Sequence, residues 1–331
     1  MRVMRALISL SLLALLVLWL DVGALLDQLR AAEARWLGAA LVLAVAQVTI
    51  SAWRWRYTAE RLGLPLPPGV AVREYYLATF LNQVLPGGVL GDVSRAWRHA
   101  QAGAAARAVH AVIIERVSGQ LVMLAIAVVS GLYLAIIVPE GPASRVALFV
   151  AGGGILVVVA VLGLARRRML AVTNEPGASE PGVSESGVSK PSASESAPRF
   201  VASLSHALLQ RPALETQLAV SALIVATYLA TGWVAGSALA LGLPALQLLA
   251  LTAVMLVAML VPVTVAGWGL REALAAAVWG AVGRSAVEGV ALSVTYGVFV
   301  LVGSLPGALV LLGRRHAERS KSNTTSSPST T

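Results

Sequence analysis

The chain has 331 residues, of which 57% are hydrophobic and 12% are charged, and its mean hydropathy is +0.79. Soluble domains carry about 25% charged residues, so this composition excludes an ordinary soluble domain. The net charge of +9 comes from arginines between apolar runs, which is the pattern of a topology signal and not of a nucleic-acid interface. The absence of cysteine excludes disulfides and thiolate metal sites, and the four histidines show no ligand spacing.

Apolar runs of membrane-crossing length recur along the chain and predict an all-α polytopic membrane protein. The first run covers residues 6–20 after a basic start, which resembles a signal peptide. We favour a first membrane span, because the rest of the chain is also apolar. The second run, 36–53, leads into Trp53-Arg-Trp-Arg56, which we interpret as an anchor at the positively charged membrane interface.

The third apolar stretch is interrupted by charge, proline and glycine. Residues 70–85 carry Arg73 and Glu74, and they lead into Asn82-Gln-Val-Leu-Pro-Gly-Gly-Val-Leu-Gly-Asp-Val-Ser-Arg95. Backbone that breaks a helix at membrane depth is tolerated only where it is buried in protein or lines a wet cavity. We therefore predict a broken membrane segment over residues 70–97, and its break positions are Pro86, Gly87, Gly88 and Gly91.

The rest of the N-terminal membrane half, residues 1–170, holds two further spans at 109–138 and 146–165. The first of them is about 45 Å long as a helix, which exceeds the hydrocarbon core of about 30 Å. Its first turns, with Glu115 and Arg116, are therefore expected to project to the interface or into a cavity. Residues 171–212 are rich in Ser, Glu, Pro and Gly in their first part, which predicts a disordered cytoplasmic linker. We interpret it as a tolerated insertion in preference to a docking segment.

The C-terminal membrane half, residues 213–313, contains spans at 212–241 and 286–312 and a second broken segment at 245–283. That segment includes Val261-Pro-Val-Thr-Val-Ala-Gly-Trp-Gly-Leu-Arg-Glu272, in which Pro262, Gly267 and Gly269 mark the break. The tail, residues 314–331, is predicted to be disordered.

The positions of lysine and arginine predict a topology. If both broken segments are re-entrant hairpins, about six full spans remain, both termini are cytoplasmic, and most basic residues lie on the cytoplasmic side. The first hairpin would enter from the cytoplasm and the second from outside. Two broken segments of opposite orientation indicate an inverted repeat with a site near the midplane. We expect a multi-pass protein of the cell membrane.

Ionisable residues within the membrane cost about 2.5–3.5 kcal/mol each at a helix centre, so they are rare without a role. We predict a polar cavity in which arginines bind a phosphate and carboxylates hold the arginines in place; the alternative is local pairing at the interface. The candidate residues are Arg73, Asn82, Asp92, Arg95, Glu115, Arg116, Arg271 and Glu272. Tyr75 is interpreted as an interface aromatic.

Three motifs carry a family resemblance: Asn82-x-x-Leu-Pro-Gly-Gly-x-x-Gly-Asp-x-x-Arg95, Glu115-Arg116 after a basic loop, and Gly267-x-Gly-x-Arg-Glu272. Together they resemble the lysylphosphatidylglycerol synthase transmembrane domain family, which is flippase-like. The resemblance covers nearly the whole chain except residues 171–200 and the tail. In two-domain members, a soluble aminoacyl-transferase domain follows the membrane domain, and this sequence holds none. The resemblance therefore implies a standalone lipid translocase of the cell inner membrane and not an enzyme.

The implied partners are membrane lipids, either an anionic phospholipid or an isoprenoid- or glycan-linked lipid, with no nucleic acid, cofactor or metal. An alternative is a non-transporting membrane scaffold for a lipid-modifying enzyme or a glycosyltransferase. An enzyme that acts on a lipid-linked phosphate is a third hypothesis, but the sequence shows no nucleophile elbow, phosphate-binding loop, Asp-rich metal motif or His-based acid–base pair.

The topology can be tested by single-cysteine labelling, because the chain contains no cysteine. We expect Gly88→Cys to react with a membrane-impermeant thiol reagent only from the cytoplasmic side, and Gly267→Cys only from the outside. Labelling of both positions from the same side would contradict the opposed hairpins.

Overall fold

The computed structural model describes residues 2–85, 90–100, 105–138, 152–153, 211–260 and 264–314. Within these ranges the chain is helical and forms no β-strand, which confirms the all-α polytopic class. The predicted span at 146–165, the linker 171–212 and the tail from residue 315 lie outside the described residues. So do the break positions Pro86, Gly87, Gly88 and Pro262.

Ten α-helices form in the described part of the chain. The N-terminal half contains α1 (Arg2–Trp19), α2 (Val22–Arg30), α3 (Arg35–Arg61), α4 (Pro68–Val84), α5 (Leu90–Ala100) and α6 (Ala105–Ile137). The C-terminal half contains α7 (Arg211–Ala238), α8 (Ala245–Leu256) with a 3₁₀ turn (Val257–Leu260), α9 (Leu270–Ala281) and α10 (Ala286–Ser304). Four segments are long and apolar enough to cross a membrane: Arg35–Arg61, Arg107–Ile137, Pro212–Ala238 and Ala286–Arg314.

The predicted first span is bent in the structure. The helices α1 and α2 meet at 98°, and only together do they qualify as a membrane-crossing segment. Asp21 begins α2, because its carboxylate accepts a hydrogen bond from the backbone N–H of Ala24 at 3.0 Å. The helix α1 packs on α9, and the hydroxyl of Ser9 accepts a bond from the backbone N–H of Val265 at 2.9 Å. The first helix therefore satisfies backbone at the second break.

Hydrogen bonds between helix ends define the two ends of the bundle. At one end, Arg107 at the start of α6 donates to the carbonyl oxygen of Leu62, just after α3, at 3.2 Å. At the other, the N–H of Glu33, just before α3, donates to the carbonyl oxygen of Ala238, the last residue of α7, at 2.9 Å. We call these the Arg107 end and the Glu33 end.

The first broken segment enters and leaves the bundle at the Arg107 end. A short connector joins α3 to α4 there, and α5 leads back to the start of α6. With 17 and 11 residues, α4 and α5 are about 26 and 17 Å long, shorter than the hydrocarbon core of about 30 Å. They also pack against each other, which is the geometry of a re-entrant hairpin.

The second broken segment enters and leaves at the Glu33 end. The helix α8 begins shortly after Ala238, and α9 ends before Arg284, whose guanidinium donates to the carbonyl oxygen of Leu241 at 2.9 Å. Each of α8 and α9 has 12 residues, and the two pack together. Both segments therefore consist of two short helices that pack together, and their entry points lie at opposite ends of the bundle.

Glycine at position 91 lets the two arms of the first hairpin approach each other. A Cβ atom there would overlap the carbonyl oxygen of Ala78 on α4. The backbone N–H of Gly91 donates to the side-chain oxygen of Asn82 at 2.8 Å. Asn82 thus joins the end of α4 to the start of α5 on the described side of the break.

We expect Gly91→Ala to destabilise the protein, although alanine favours a helix by about 1 kcal/mol over glycine. The added methyl group meets backbone that cannot rotate away, and overpacking of this kind costs about 1–3 kcal/mol. Gly38→Ala on α3 is the matched control, because a Cβ there meets no atom within 4 Å. Thermal unfolding in detergent should show a lowered Tm for Gly91→Ala only; equal Tm values would contradict the close contact.

Candidate functional site

A cavity of about 260 Å³ lies between the two hairpins. The first hairpin lines it with Asn82, Asp92 and Arg95, and the second lines it through the turn at Thr264 and Gly267. The spans α3, α6, α7 and α10 complete the wall. A cavity thus lies between the two predicted broken segments, and among the described residues its charged lining consists of Arg54, Asp92, Arg95, Glu115 and Arg116.

Glu115 on α6 is the centre of the charged network. Its carboxylate accepts a hydrogen bond from Arg54 of α3 at 3.0 Å, from Arg95 of α5 at 2.6 Å and from the hydroxyl of Tyr75 on α4 at 2.8 Å. Glu115 is 1% exposed, Arg95 2% and Arg54 5%. One carboxylate thus ties together two spans and both arms of the first hairpin, in surroundings where each charge requires a partner.

Asp92 is the second carboxylate of the network and lies in the first turn of α5. It accepts from the Nε and Nη2 atoms of Arg95 at 3.2 and 3.1 Å, and from the side-chain nitrogen of Asn82 at 3.3 Å. Arg116 of α6 forms an ion pair with its other oxygen. Asp92 therefore closes the hairpin and also joins it to α6.

The network carries more positive than negative charge. Three guanidinium groups, on Arg54, Arg95 and Arg116, face the carboxylates of Asp92 and Glu115. The Nη1 of Arg95 and the Nε of Arg54 are buried and have no hydrogen-bond partner in the protein. Buried donors are normally satisfied, so these two nitrogens are hydrogen-bonding capacity that the protein itself does not use. The cavity is consequently suited to an anion.

Two aromatic rings hold the guanidinium of Arg95 in place. Its central carbon lies 4.7 Å from the ring centroid of Trp55 and 4.6 Å from that of Tyr75. Cation–π contacts of this kind gain strength in dry surroundings and can reach about 2 kcal/mol. The two rings therefore hold the guanidinium of Arg95 in one orientation.

The second arginine–carboxylate pair has a different environment. Arg271 donates to Ser293 at 2.7 Å and to Glu272 at 3.0 Å, and Trp268 and Tyr296 lie against its guanidinium. Glu272 also accepts the N–H of Gly269, at the start of α9, at 2.6 Å. This cluster is charge-neutral, and neither Arg271 nor Glu272 lines the cavity. It holds the lining turn against α10.

The candidate residues from the sequence divide into three groups. Five line the cavity, namely Asn82, Asp92, Arg95, Glu115 and Arg116, and the Arg271–Glu272 pair lies behind the wall. Arg73 is exposed on α4 and is not part of the lining. Within the described ranges, no group of three His, Asp or Glu side chains gathers as a metal site.

The interpretation of Trp53-Arg-Trp-Arg56 as an interface anchor is wrong for its two central residues. Arg54 and Trp55 are buried, at 5% and 0% exposure, because α3 continues to Arg61 and these positions lie two turns inside it. Tyr75 was also misassigned, since its hydroxyl binds Glu115 and its ring covers Arg95.

Comparison with known proteins gives one family match. The family model described as the lysylphosphatidylglycerol synthase TM region matches residues 5–307. No curated protein matches the chain.

We expect two glutamate substitutions, Glu272→Gln in the neutral cluster and Glu60→Gln on α3, to differ strongly in their effect on the free energy of unfolding. Glu272→Gln keeps the shape of the side chain but leaves Arg271 buried without a counter-charge, a change that costs about 3–5 kcal/mol. The matched control is Glu60→Gln, which breaks the half-exposed pair with Arg56 and costs at most about 1 kcal/mol. We expect Tm in detergent to fall strongly for the first variant and barely for the second. Similar Tm values for both would show that the buried pair does not hold the turn.

Proposed function

Because the chain belongs to the lysylphosphatidylglycerol synthase TM region family, we propose that it moves an anionic lipid across the bilayer as a flippase-like translocase. The observation that carries this proposal is the cavity between two opposed hairpins, with three arginines and two carboxylates in its lining. The family match and the apolar spans make the chain a multi-pass membrane protein. Lipid movement is the function that the geometry supports best.

The size of the cavity supports a headgroup as the bound part of the cargo. Cavities that enclose a drug-sized ligand have about 300–1,000 Å³, and this one has about 260 Å³. A phosphate with a small polar substituent fits this volume, and two acyl chains do not. The chains of the lipid would therefore stay in the bilayer while the headgroup passes through the protein.

The charge of the lining supports an anionic headgroup over a zwitterionic one. The excess guanidinium and the unpartnered donors on Arg95 and Arg54 match the oxygens of a phosphate, for which arginine is well suited. Both carboxylates are held by arginines, so neither is poised as a general acid or base. We accordingly assign no chemical reaction to the chain, and the scaffold hypothesis is left to the transport assay.

The opposed hairpins support movement between leaflets. The two broken segments enter from different ends of the bundle, and residues of both segments line one cavity. Arrangements of this type place binding sites near the midplane in transporters with broken helices. Among the described residues, arginines are also more numerous at the Arg107 end, which makes it the cytoplasmic end in the proposed orientation.

The proposal predicts that Arg95→Gln slows lipid movement. Removal of one charge-assisted hydrogen bond to the headgroup, worth about 1.5–3 kcal/mol, should lower the rate by roughly 10- to 100-fold. The measurement is movement of fluorescent phosphatidylglycerol between the leaflets of liposomes that contain the purified protein. The charge-matched control is Arg56→Gln, because Arg56 lies outside the cavity and pairs with Glu60 within α3.

A second variant covers the case in which Arg95→Gln fails to fold. Gln120→Trp fills part of the cavity and removes no member of the ion-pair network. We expect it to slow movement of phosphatidylglycerol with little change in Tm. Folded variants that move the lipid as fast as the wild type would refute the cavity as the pathway. No movement by the wild-type protein would instead favour the scaffold hypothesis.

A further inference from the structure

A second basic cluster lies outside the cavity, around the carboxylate of Glu74 on α4. One carboxylate oxygen accepts from Arg98 of α5 at 2.5 Å, and the other forms an ion pair with Arg314 at the end of the last span. The side chain of Glu74 is 8% exposed, and those of Arg98 and Arg314 are 22% and 27% exposed. Arg73, the neighbour of Glu74, is exposed, and its charge acts on Arg98.

Packing fixes the last span on the first hairpin at this point. A Cβ at Gly307 would overlap the carbonyl oxygen of Tyr76, so the segment that carries Arg314 lies directly on α4. The position of Arg314 is therefore set by backbone contact two turns earlier. The cluster is built from three separate parts of the chain. It therefore differs from a run of neighbouring charges along one helix.

Among the described residues, the cluster carries more positive than negative charge. Arg98 and Arg314 both pair with the carboxylate of Glu74, and the charge of the exposed Arg73 acts on Arg98. The Nη2 of Arg98 is buried and has no hydrogen-bond partner in the protein. Like charges held this close repel each other unless an anion joins them, and a buried donor costs about 1–3 kcal/mol while it is unsatisfied. Both observations make this cluster suited to an anionic ligand.

The location of the cluster indicates that the anion comes from the membrane and not from the aqueous solution. Arg314 is the last residue of the span Ala286–Arg314, and the cluster lies at the Arg107 end of the bundle, where α4 begins and α5 ends. The end of a membrane-crossing helix lies at headgroup depth. A phosphate held there by arginine forks, with its acyl chains in the adjacent leaflet, satisfies charge and burial together.

We propose that Arg73, Arg98 and Arg314 form a separate binding site for the phosphate of an anionic phospholipid in the leaflet at the Arg107 end. Glu74 positions two of the three arginines. This site does not depend on the cavity, although Arg98 follows Arg95 by one helical turn on α5. A lipid bound here would lie beside the first hairpin, at the face from which that hairpin enters.

Native mass spectrometry of the full chain tests this site without a transport assay. We expect the wild-type protein to retain added phosphatidylglycerol more strongly than phosphatidylcholine of the same chain length. Arg98→Gln should weaken retention of phosphatidylglycerol by roughly tenfold, because it removes a charge-assisted hydrogen bond of about 1.5–3 kcal/mol. Arg73→Gln, an exposed substitution that leaves the buried ion pairs in place, should weaken it by a few-fold. Arg56→Gln is the charge-matched control and should bind as the wild type does.

Three outcomes decide the proposal. Weaker phosphatidylglycerol binding in both Arg98→Gln and Arg73→Gln, with no change in phosphatidylcholine binding, supports it. Equal phosphatidylglycerol binding by all variants overturns it. A parallel titration with inorganic phosphate distinguishes a lipid from a soluble anion. If phosphate raises the Tm of the wild type but not that of Arg98→Gln, and no phosphatidylglycerol is retained, the site binds a soluble anion and the lipid site is overturned. A chain that binds in this way but moves no lipid would refute the translocase and leave this site standing.

Discussion

A charged side chain within a membrane is stable only where opposite charge and hydrogen bonds replace the water it has lost. In this protein the carboxylate of Glu115 meets that requirement for Arg54 and Arg95, and Asp92 meets it for Arg95 and Arg116. These bonds connect α3, α5 and α6. The contacts that neutralise the buried charges are therefore also contacts that hold the bundle together. The shape of the cavity follows from this constraint, since its polar wall can exist only where these helices meet.

The two hairpins stabilise their buried charges in different ways. The first uses ionic bonds that leave positive charge in excess and donors unused, which suits a wall that has to receive a ligand. The second pairs Arg271 with Glu272, Ser293 and two aromatic rings, so that no charge is left over. The two broken segments thus carry unequal chemistry: the first leaves positive charge in excess in the cavity wall, and the second holds a turn in position.

Sequence patterns were sufficient for the all-α class and the four long spans, and they also located the two pairs of short helices, because proline, glycine and charge are conspicuous within apolar runs. They were also sufficient to select Asp92, Arg95 and Glu115, since buried charge in lipid is costly. They could not separate Arg95 from Arg271, because the two have the same local context and differ in what lies across the bundle. Arg54 and Tyr75 were missed for a related reason: aromatic and basic residues near a helix end look the same whether they face lipid headgroups or the protein interior. Which face a helix buries is decided by its partners, and for Arg54 these include Ser221, 167 residues away.

The hydrogen bond between Ser9 and Val265 joins positions 256 residues apart and has a consequence for biogenesis. The first helix leaves the ribosome long before the unwound turn that it serves has been synthesised. The wall formed by that turn therefore cannot be complete until the chain has been synthesised beyond Val265. Contacts of such sequence separation form late, because a long loop has to close before they contribute. During that interval Ser9 lacks the partner that it has in the folded protein, so completion of the cavity wall depends on synthesis of the C-terminal half.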